Sequence, residues 1–498
     1  MRFMQRIFSF NTRLQNTNSK IWADIKTSLV VTRQKRSFLI RPPKFIPLFF
    51  RFHCTAFLEM LKGKVEEEHV FMPPRHVHGM TELKRDAFTK SINVPALKVK
   101  KEIINRLMKP LKQIALQRPG LKRVMEDPED ENKRLIILDP CQISSADSFD
   151  DSIKIVLGQF GVDLQVYTHN LELTYENFKT EEILRAVLPE GQDVTSSFSR
   201  VGHIAHMNLR EHQLPYRYLV GQVIIDKNPG VTSVVNKTNI IDNAYRNFQM
   251  ELLAGEDNMI TKVKENGFTY EFDFSKVYWN PRLGTEHNRI VALLKAEDIV
   301  FDVFAGVGPF AIPAAKKNCA VLANDLNPES CKWLVHNCKL NKVDRRVKTF
   351  SLDGRDFILG PLKDELNKIS TDVGNSSVHI IMNLPALAID FLDAFKNLLD
   401  KASNNNLPTV HCYGFSKDDN PAKDIKEKAE SVLGVSLEGH CCVHQVRNVA
   451  PNKEMMCISF QLPAEVLYKE HSQFQVSVIP EENEPKPKRI RTDPSVQE

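Results

Sequence analysis

Long hydrophobic runs are missing from this chain: nowhere do roughly 18 uninterrupted apolar residues occur, the length that a membrane-spanning helix requires. No membrane partner is expected. Cysteine is sparse as well, nine residues at positions 54, 141, 319, 331, 338, 412, 441, 442 and 457, and no C-x-x-C pair occurs among them. That scatter excludes a zinc knuckle or a thioredoxin-type site and reads as reduced, mostly buried thiols of an intracellular protein. The N-terminus lacks the apolar core followed by small residues that marks a secretory signal. No internal repeat is visible either.

What is present suffices for an enzyme. The 498 residues are 42% hydrophobic and 26% charged, a soluble globular composition long enough for two to four domains. A net charge of +5 says little, but its distribution says more. Residues 1–54 carry Arg2, Arg6, Arg13, Lys20, Lys26, Arg33, Lys35, Arg36, Arg41, Lys44 and Arg51 against the single acid Asp24, interleaved with Phe, Ile, Leu and Ser. This is a mitochondrial transit-peptide composition; the alternative is a disordered basic arm for RNA. A mitochondrial matrix location is expected on that basis, with cytoplasmic and nuclear pools arising from a later start such as Met60 or Met72, or from incomplete import. The tail, 466–498, is charged, Pro-rich and expected to be disordered, and Lys486 to Arg491 is a short basic run of the nuclear-localisation kind.

Segment 55–130 reads as a basic helical extension. Within it, residues 84–123 hold twelve Lys or Arg against two acids, with Ile103, Ile104, Leu107, Leu111 and Ile114 at helix-like spacing. Such a pattern is either a solvated face over a core stripe or a phosphate-binding surface. The acidic run Glu126 to Glu131 then reads as a loop and a domain boundary. Residues 131–192 combine the short apolar runs "RLIILD" and "IKIVLG" with the helical "NFKTEEILRAVLP", a small α/β module. Residues 193–284 form a second such module, with "YRYLVGQVIID" read as helix then strand and "VTSVVNK" as a strand.

From 285 to 465 buried strands and helices alternate regularly. Strands are expected at 299–304, 320–325, 347–352, 378–383 and 408–415, helices at 308–318, 328–341, 387–400 and 420–433, then two strands joined at "APNK". The apolar runs are short and continuous, so the fold class is α/β: a parallel, doubly wound, Rossmann-like sheet covered on both faces. The first strand runs into Ala305-Gly306-Val307-Gly308-Pro309-Phe310, where glycines let backbone approach a ligand. Ala311 replaces the third glycine of a dinucleotide fingerprint, and Asp325 ends the second strand where an acid can bind a ribose diol. The third strand, ending Ser351-Leu352-Asp353-Gly354, places an acid where adenine is received in methyltransferases, and so favours S-adenosylmethionine over a nicotinamide. Asn383-Leu384-Pro385 ends the fourth strand. This is either a strand-terminating turn or the pocket wall of a nitrogen methyltransferase; no cysteine nucleophile stands beside Pro385, as carbon methylation would want.

Upstream, "VYWNPRLGTEHNRI" sets Glu286 between Thr285, a candidate helix cap, and the basic His287 and Arg289. Glu286 is either a first-turn helix acid or a catalytic base. Together, "YRNFQMELLAGED", "VYWNPRLGTEHNRI", "DVFAGVGPFAIPAAKKN", "NDLNPES", "DGRDF" and "NLP" resemble, in order and spacing, the eukaryotic and archaeal tRNA (guanine-N1)-methyltransferases that modify guanosine 37. The resemblance covers roughly 130–465. It implies a class I S-adenosylmethionine-dependent domain behind two smaller modules, the first touching the tRNA body and the second coupling it to the active site. It also implies a cofactor site of Phe304, Asp325, Leu326, Asp353, Gly354 and Asn383, bordered by Arg282 and His287, and an Arg246 that contacts the target guanine. Guanine N1 carries a proton that must leave before its lone pair can attack, which requires a base and a donor for the charge that develops on the exocyclic oxygen. Glu286 is expected to take the proton, Arg246 to hold the oxygen, Asn383 and Pro385 to position the ring, and Tyr278 to wall the pocket. No metal is required, and a monomer bound to tRNA is expected. Two rivals remain: a relative that transfers the aminocarboxypropyl group to a wyosine precursor, and a catalytically dead tRNA-binding protein.

Overall fold

Four strands with apolar clusters packed on both faces make the first sheet of the chain. The structure, a computed structural model, describes residues 70–191, 194, 197–241, 248–369, 376–400 and 407–469. The basic segment 1–54, Arg246 and the tail beyond 469 lie outside the described residues. The first sheet has the antiparallel order β2-β3-β1-β4, built from β1 (Lys90–Lys100), β2 (Val124–Glu126), β3 (Lys133–Ile137) and β4 (Tyr167–Leu173).

This arrangement corrects the basic-helix expectation for 84–123. Ile92, Val94 and Ala96 are buried with period 2, and Pro95 sits mid-segment, where a helix interior would lose a hydrogen bond. The helix-like apolar spacing beyond β1 is a core stripe: Leu107 and Leu111, on short single turns, are fully buried. The acidic run is a loop, as expected, but it joins β2 to β3 within one sheet, so no boundary falls at 130. "IKIVLG" is likewise helical, within Asp151–Gln159, capped by Asp150 accepting from the Ile153 amide.

The second sheet, in the order β5-β6-β7-β8, comprises β5 (Ser199–Val201), β6 (Ile204–Met207), β7 (Ser233–Ile241) and β8 (Phe248–Gly255). "YRYLVGQVIID" is helix throughout, Arg217–Lys227. Leu171 and Leu184 of the first module pack in one cluster with Val220 and Leu253 of the second, so 131–192 and 193–284 share a core.

A hairpin of β9 (Ile260–Glu265) and β10 (Phe268–Asp273) precedes the expected domain start at 285 yet packs as part of the C-terminal domain. Asn337, on the helix Pro328–Leu340, accepts from the Glu271 amide at 2.8 Å, and Asn341 bonds both backbone groups of Thr269. The main sheet then runs β13-β12-β11-β14-β15-β17-β16. Its strands are β11 (Ile299–Asp302), β12 (Ala320–Asn324), β13 (Val347–Phe350), β14 (Val378–Met382), β15 (Thr409–Ser416), β16 (Cys441–Ala450) and β17 (Lys453–Gln461). The first five are parallel and the last two antiparallel, all within two residues of the expected limits. One apolar cluster lies on each face. Helical segments between 354 and 369 escaped the sequence reading, and 387–400 proves to be a 3-10 helix at Ala388–Phe395. Val466 and Leu467, assigned to the tail, are buried. Among the described residues no helix is long and apolar enough to cross a membrane.

Candidate active site

The strand order reverses between β11 and β14, and at that switch point a doubly wound sheet opens a crevice at its carboxyl ends. The sequence sets six of the expected residues on this rim. From β11 the chain turns through the glycines; Gly308 has φ 100°, and a Cβ there would lie 2.7 Å from Leu334, which permits only glycine. The Gly306 amide donates to Asp325 Oδ2 at 2.8 Å, and the Asn327 amide donates to Oδ1 at 2.9 Å, fixing the carboxylate at the end of β12. Burial pushes the Asp325 carboxyl up from its ordinary range. Leu326 beside it is 48% exposed.

At the end of β13, Asp353 caps the helix Gly354–Phe357 by accepting from the Arg355 amide at 2.8 Å. The Phe304 ring packs over Gly354 and meets Phe391 edge-on at 5.2 Å; a Cβ on Gly354 would stand 2.8 Å from both rings. Asn383, one residue beyond β14, has a buried Oδ1 without a hydrogen-bond partner among the described residues. The Phe415 amide donates to the Pro385 carbonyl at 3.0 Å, tying that turn to β15.

Two rim residues were missed. Asn324 is fully buried and stitches three strand ends: its Nδ2 donates to the Val303 and Leu352 carbonyls, and its Oδ1 accepts from the Leu352 amide. Asp302 is fully buried with both oxygens unpartnered among the described residues, and burial, then the charge of Asp325, holds its carboxyl well above the usual range. An acid closing an otherwise apolar strand, the first letter of the D-x-F-A-G-x-G stretch, was its signal.

The residues present fit S-adenosylmethionine. Orphaned carboxyl and amide oxygens offer acceptors to a cation and to ribose hydroxyls, and the Phe304–Gly354 surface is an apolar platform where an added methyl would intrude.

Glu286 occupies a separate group on the other half of the sheet. It lies in the first turn of the helix Gly284–Leu293, 5% exposed. Thr285 does not cap this helix; Leu283 holds the cap position without a side-chain bond, because a preceding 3-10 turn, Pro281–Leu283, feeds straight into it. Oε1 of Glu286 accepts from the Tyr413 hydroxyl and from Arg289, each at 2.7 Å, and Oε2 accepts from Arg289 Nε at 2.7 Å. His444 Nε2 stands 3.6 Å from Oε2. Tyr413, inside an apolar strand, carried no sequence signal.

His287 does not open onto the rim. It is 3% exposed, its Nδ1 is 2.6 Å from Glu265 at the β9–β10 turn, and its ring meets Phe310 of the glycine turn at 4.7 Å. Arg282 and Tyr278 lie elsewhere again, in the wall of a cavity of about 390 Å³ between the second module and the β15–β16 edge, with His206, Lys237, Phe415 and Arg447. The structure therefore gathers Phe304, Asp325, Leu326, Asp353, Gly354 and Asn383 at the strand ends, Glu286 beneath β15, and Tyr278 with Arg282 at the cavity.

A family model described as the TRM5/TYW2 methyltransferase domain matches residues 261–438, and one described as the TYW2 N-terminal domain matches 180–258. A tRNA (guanine(37)-N(1))-methyltransferase of Xenopus tropicalis is 63% identical over 445 residues, 88% of each chain. The protein of that name from Homo sapiens is 64% identical over 431 residues, covering 86% of this chain and 84% of its own. Among solved structures, wild-type Trm5b from Pyrococcus abyssi superposes with a TM-score of 0.51 at 25% identity, over 74% of this chain and 99% of that one. The chain belongs to the tRNA (guanine(37)-N(1))-methyltransferase family.

Proposed function

We infer that this chain methylates N1 of guanosine 37 in tRNA, with S-adenosylmethionine as donor. The observation that carries the reading is the unpartnered, buried Oδ1 of Asn383 at the switch point. A carbonyl oxygen held dry needs an N–H donor, and the Watson–Crick edge of guanine carries N1–H and N2–H. When bound, S-adenosylmethionine supplies an electrophilic methyl group on a positively charged sulfur. Phe304, Asp325, Leu326, Asp353 and Gly354 hold it at the strand ends. Asn383 and Pro385 orient the guanine ring, Glu286 takes the N1 proton, and Arg246 steadies the charge on the exocyclic oxygen. Tyr278 and Arg282 line the approach, and His287 braces the helix that carries Glu286.

Guanosine 37 is stacked within its loop, so it must be extruded to react, and Lys and Arg contacts to phosphates hold the tRNA. The basic first 54 residues support import into the mitochondrial matrix, with cytoplasmic and nuclear pools from later starts. A monomer carries every residue invoked. Names of relatives at 59–65% identity favour methyl transfer over aminocarboxypropyl transfer. Incubation of the full chain with S-adenosylmethionine and a tRNA transcript, followed by nucleoside mass analysis, tests the reading. N1-methylguanosine lost on replacing G37 is expected; an aminocarboxypropyl adduct, or cofactor binding without product on any tRNA, overturns it.

A further inference from the structure

Each methyl transferred to N1 leaves one proton behind, and Glu286, the proposed general base that receives it, is 5% exposed. The base must shed that proton before the next turnover. An ionised carboxylate offers about four lone pairs. Arg289 takes one on each oxygen and Tyr413 a second on Oε1, so the remaining site is on Oε2. That is the atom His444 Nε2 faces at 3.6 Å. His444 itself is 45% exposed, on the sheet's edge strand β16. Its ring therefore spans from a buried carboxylate to solvent.

We propose that His444 carries the proton from Glu286 to water. The proton leaves guanine N1 for Glu286 Oε2, passes to Nε2 of the neutral imidazole, and leaves the resulting imidazolium for solvent. Glu286 is then a carboxylate again and His444 neutral, with one proton released per methyl transferred. Imidazole suits the task because one ring nitrogen can accept a proton while the other donates one. The other charged or titratable groups around the pair are Arg289 on the same helix as Glu286, Tyr413 on β15, and Cys457, the cross-strand partner of His444 on β17. Burial pushes the Tyr413 hydroxyl up and the Cys457 thiol to about 11, so both stay protonated and neither can take up the proton. Arg289 is already a cation. His444 acts through Glu286 and does not touch the guanine.

The inference rests on Glu286 as the base, and the experiment separates the two. Steady-state methylation of a tRNA transcript by the full chain is measured in dilute, non-nucleophilic buffer for the parent, H444A, H444Q and E286Q, with and without added imidazole. H444A is expected to fall about tenfold and to recover with imidazole, a free proton carrier that fits the space vacated by the side chain. H444Q, which retains polarity but cannot carry a proton, falls without recovering. The ratio of H444A rates with and without imidazole is independent of the fraction folded, so poor folding does not mask the result. An H444A rate matching the parent, or a loss that imidazole leaves untouched, overturns the relay. If E286Q keeps the parent rate, the base assignment fails and takes the relay with it. A slow E286Q beside an unimpaired H444A removes the relay alone.

Discussion

The crevice at the carboxyl ends of β11 and β14 and the interior around β15 treat polar groups differently. In the crevice, Asp302 and Asn383 keep buried oxygens without partners among the described residues. Away from that crevice, across β14, β15 and β17, polar groups are paired: Glu286 with Arg289 and Tyr413, His379 of β14 with His411 of β15 at 3.2 Å, and His411 with Ser459 of β17 at 2.8 Å. A buried polar group without a partner costs roughly 1–3 kcal/mol, so the crevice is destabilised unless something binds there. The interior is paired apart from one acceptor site on Glu286 Oε2. Unpartnered and paired polar groups thus fall to different parts of one sheet.

The sharpest way to break this division is E286Q. The amide keeps the shape but cannot take a proton and mismatches Arg289. Single-turnover methylation is expected to fall on the order of 10²–10⁴-fold, while S-adenosylmethionine binding, in the crevice, stays near that of the parent. Loss of cofactor affinity to the same degree would show that crevice and interior are one site.

Acid should destabilise the fold through its buried histidines. Burial holds His411 down to about 3 and lowers His379 as well. As pH falls below about 6.5, the unfolded chain takes up protons that the folded pair refuses, so stability is full above that value and is lost toward pH 3. For His411 alone this amounts to several kcal/mol at most. Denaturant titrations between pH 7 and pH 4 check it: H411N should flatten the dependence, and an unchanged slope would refute the buried-neutral assignment.

On the rim, G354A drives a Cβ to within 2.8 Å of Phe304 and Phe391, neither of which is the tip of a flexible chain. Overpacking of this kind costs about 1–3 kcal/mol, and displacing Phe304 should raise the S-adenosylmethionine Kd roughly tenfold by calorimetry. The effect on the paired interior should be slight, read as an unchanged Tm dependence on pH.

Legibility in the sequence tracks the same division. Parallel strands covered on both faces announce themselves as continuous apolar runs, and every strand of the main sheet lay within two residues of its expected place. The places of the rim residues were legible because Gly, Asp and Asn gather where parallel strands turn into helices. Tyr413 and His411 were not, since a polar residue inside an apolar strand reads as noise until its partner, 127 residues away for Tyr413 and Glu286, is placed beside it. The first sheet was misread for a related reason. Lys98 and Lys100 alternate with Leu97 and Val99, and counting charges over forty residues hid a period of two that Pro95 should have exposed.

The smallest expected effect concerns Thr285. A Thr ahead of an acid and an apolar stripe looks like a helix cap, and removing a real cap costs about 1 kcal/mol. Here the helix starts at Gly284, two residues earlier than a Thr285 cap would place it, fed by the Pro281–Leu283 turn, and Thr285 is exposed without a capping bond. T285A should therefore change stability by less than about 0.5 kcal/mol, whereas N420A, which removes the side chain capping Pro421–Leu433 through the Lys423 amide, should cost about 1 kcal/mol. Equal losses in paired denaturant titrations would restore Thr285 as the cap. They would also mean that the helix carrying Glu286 starts two residues later, with its first carboxylate nearer the positive end than the present geometry has it.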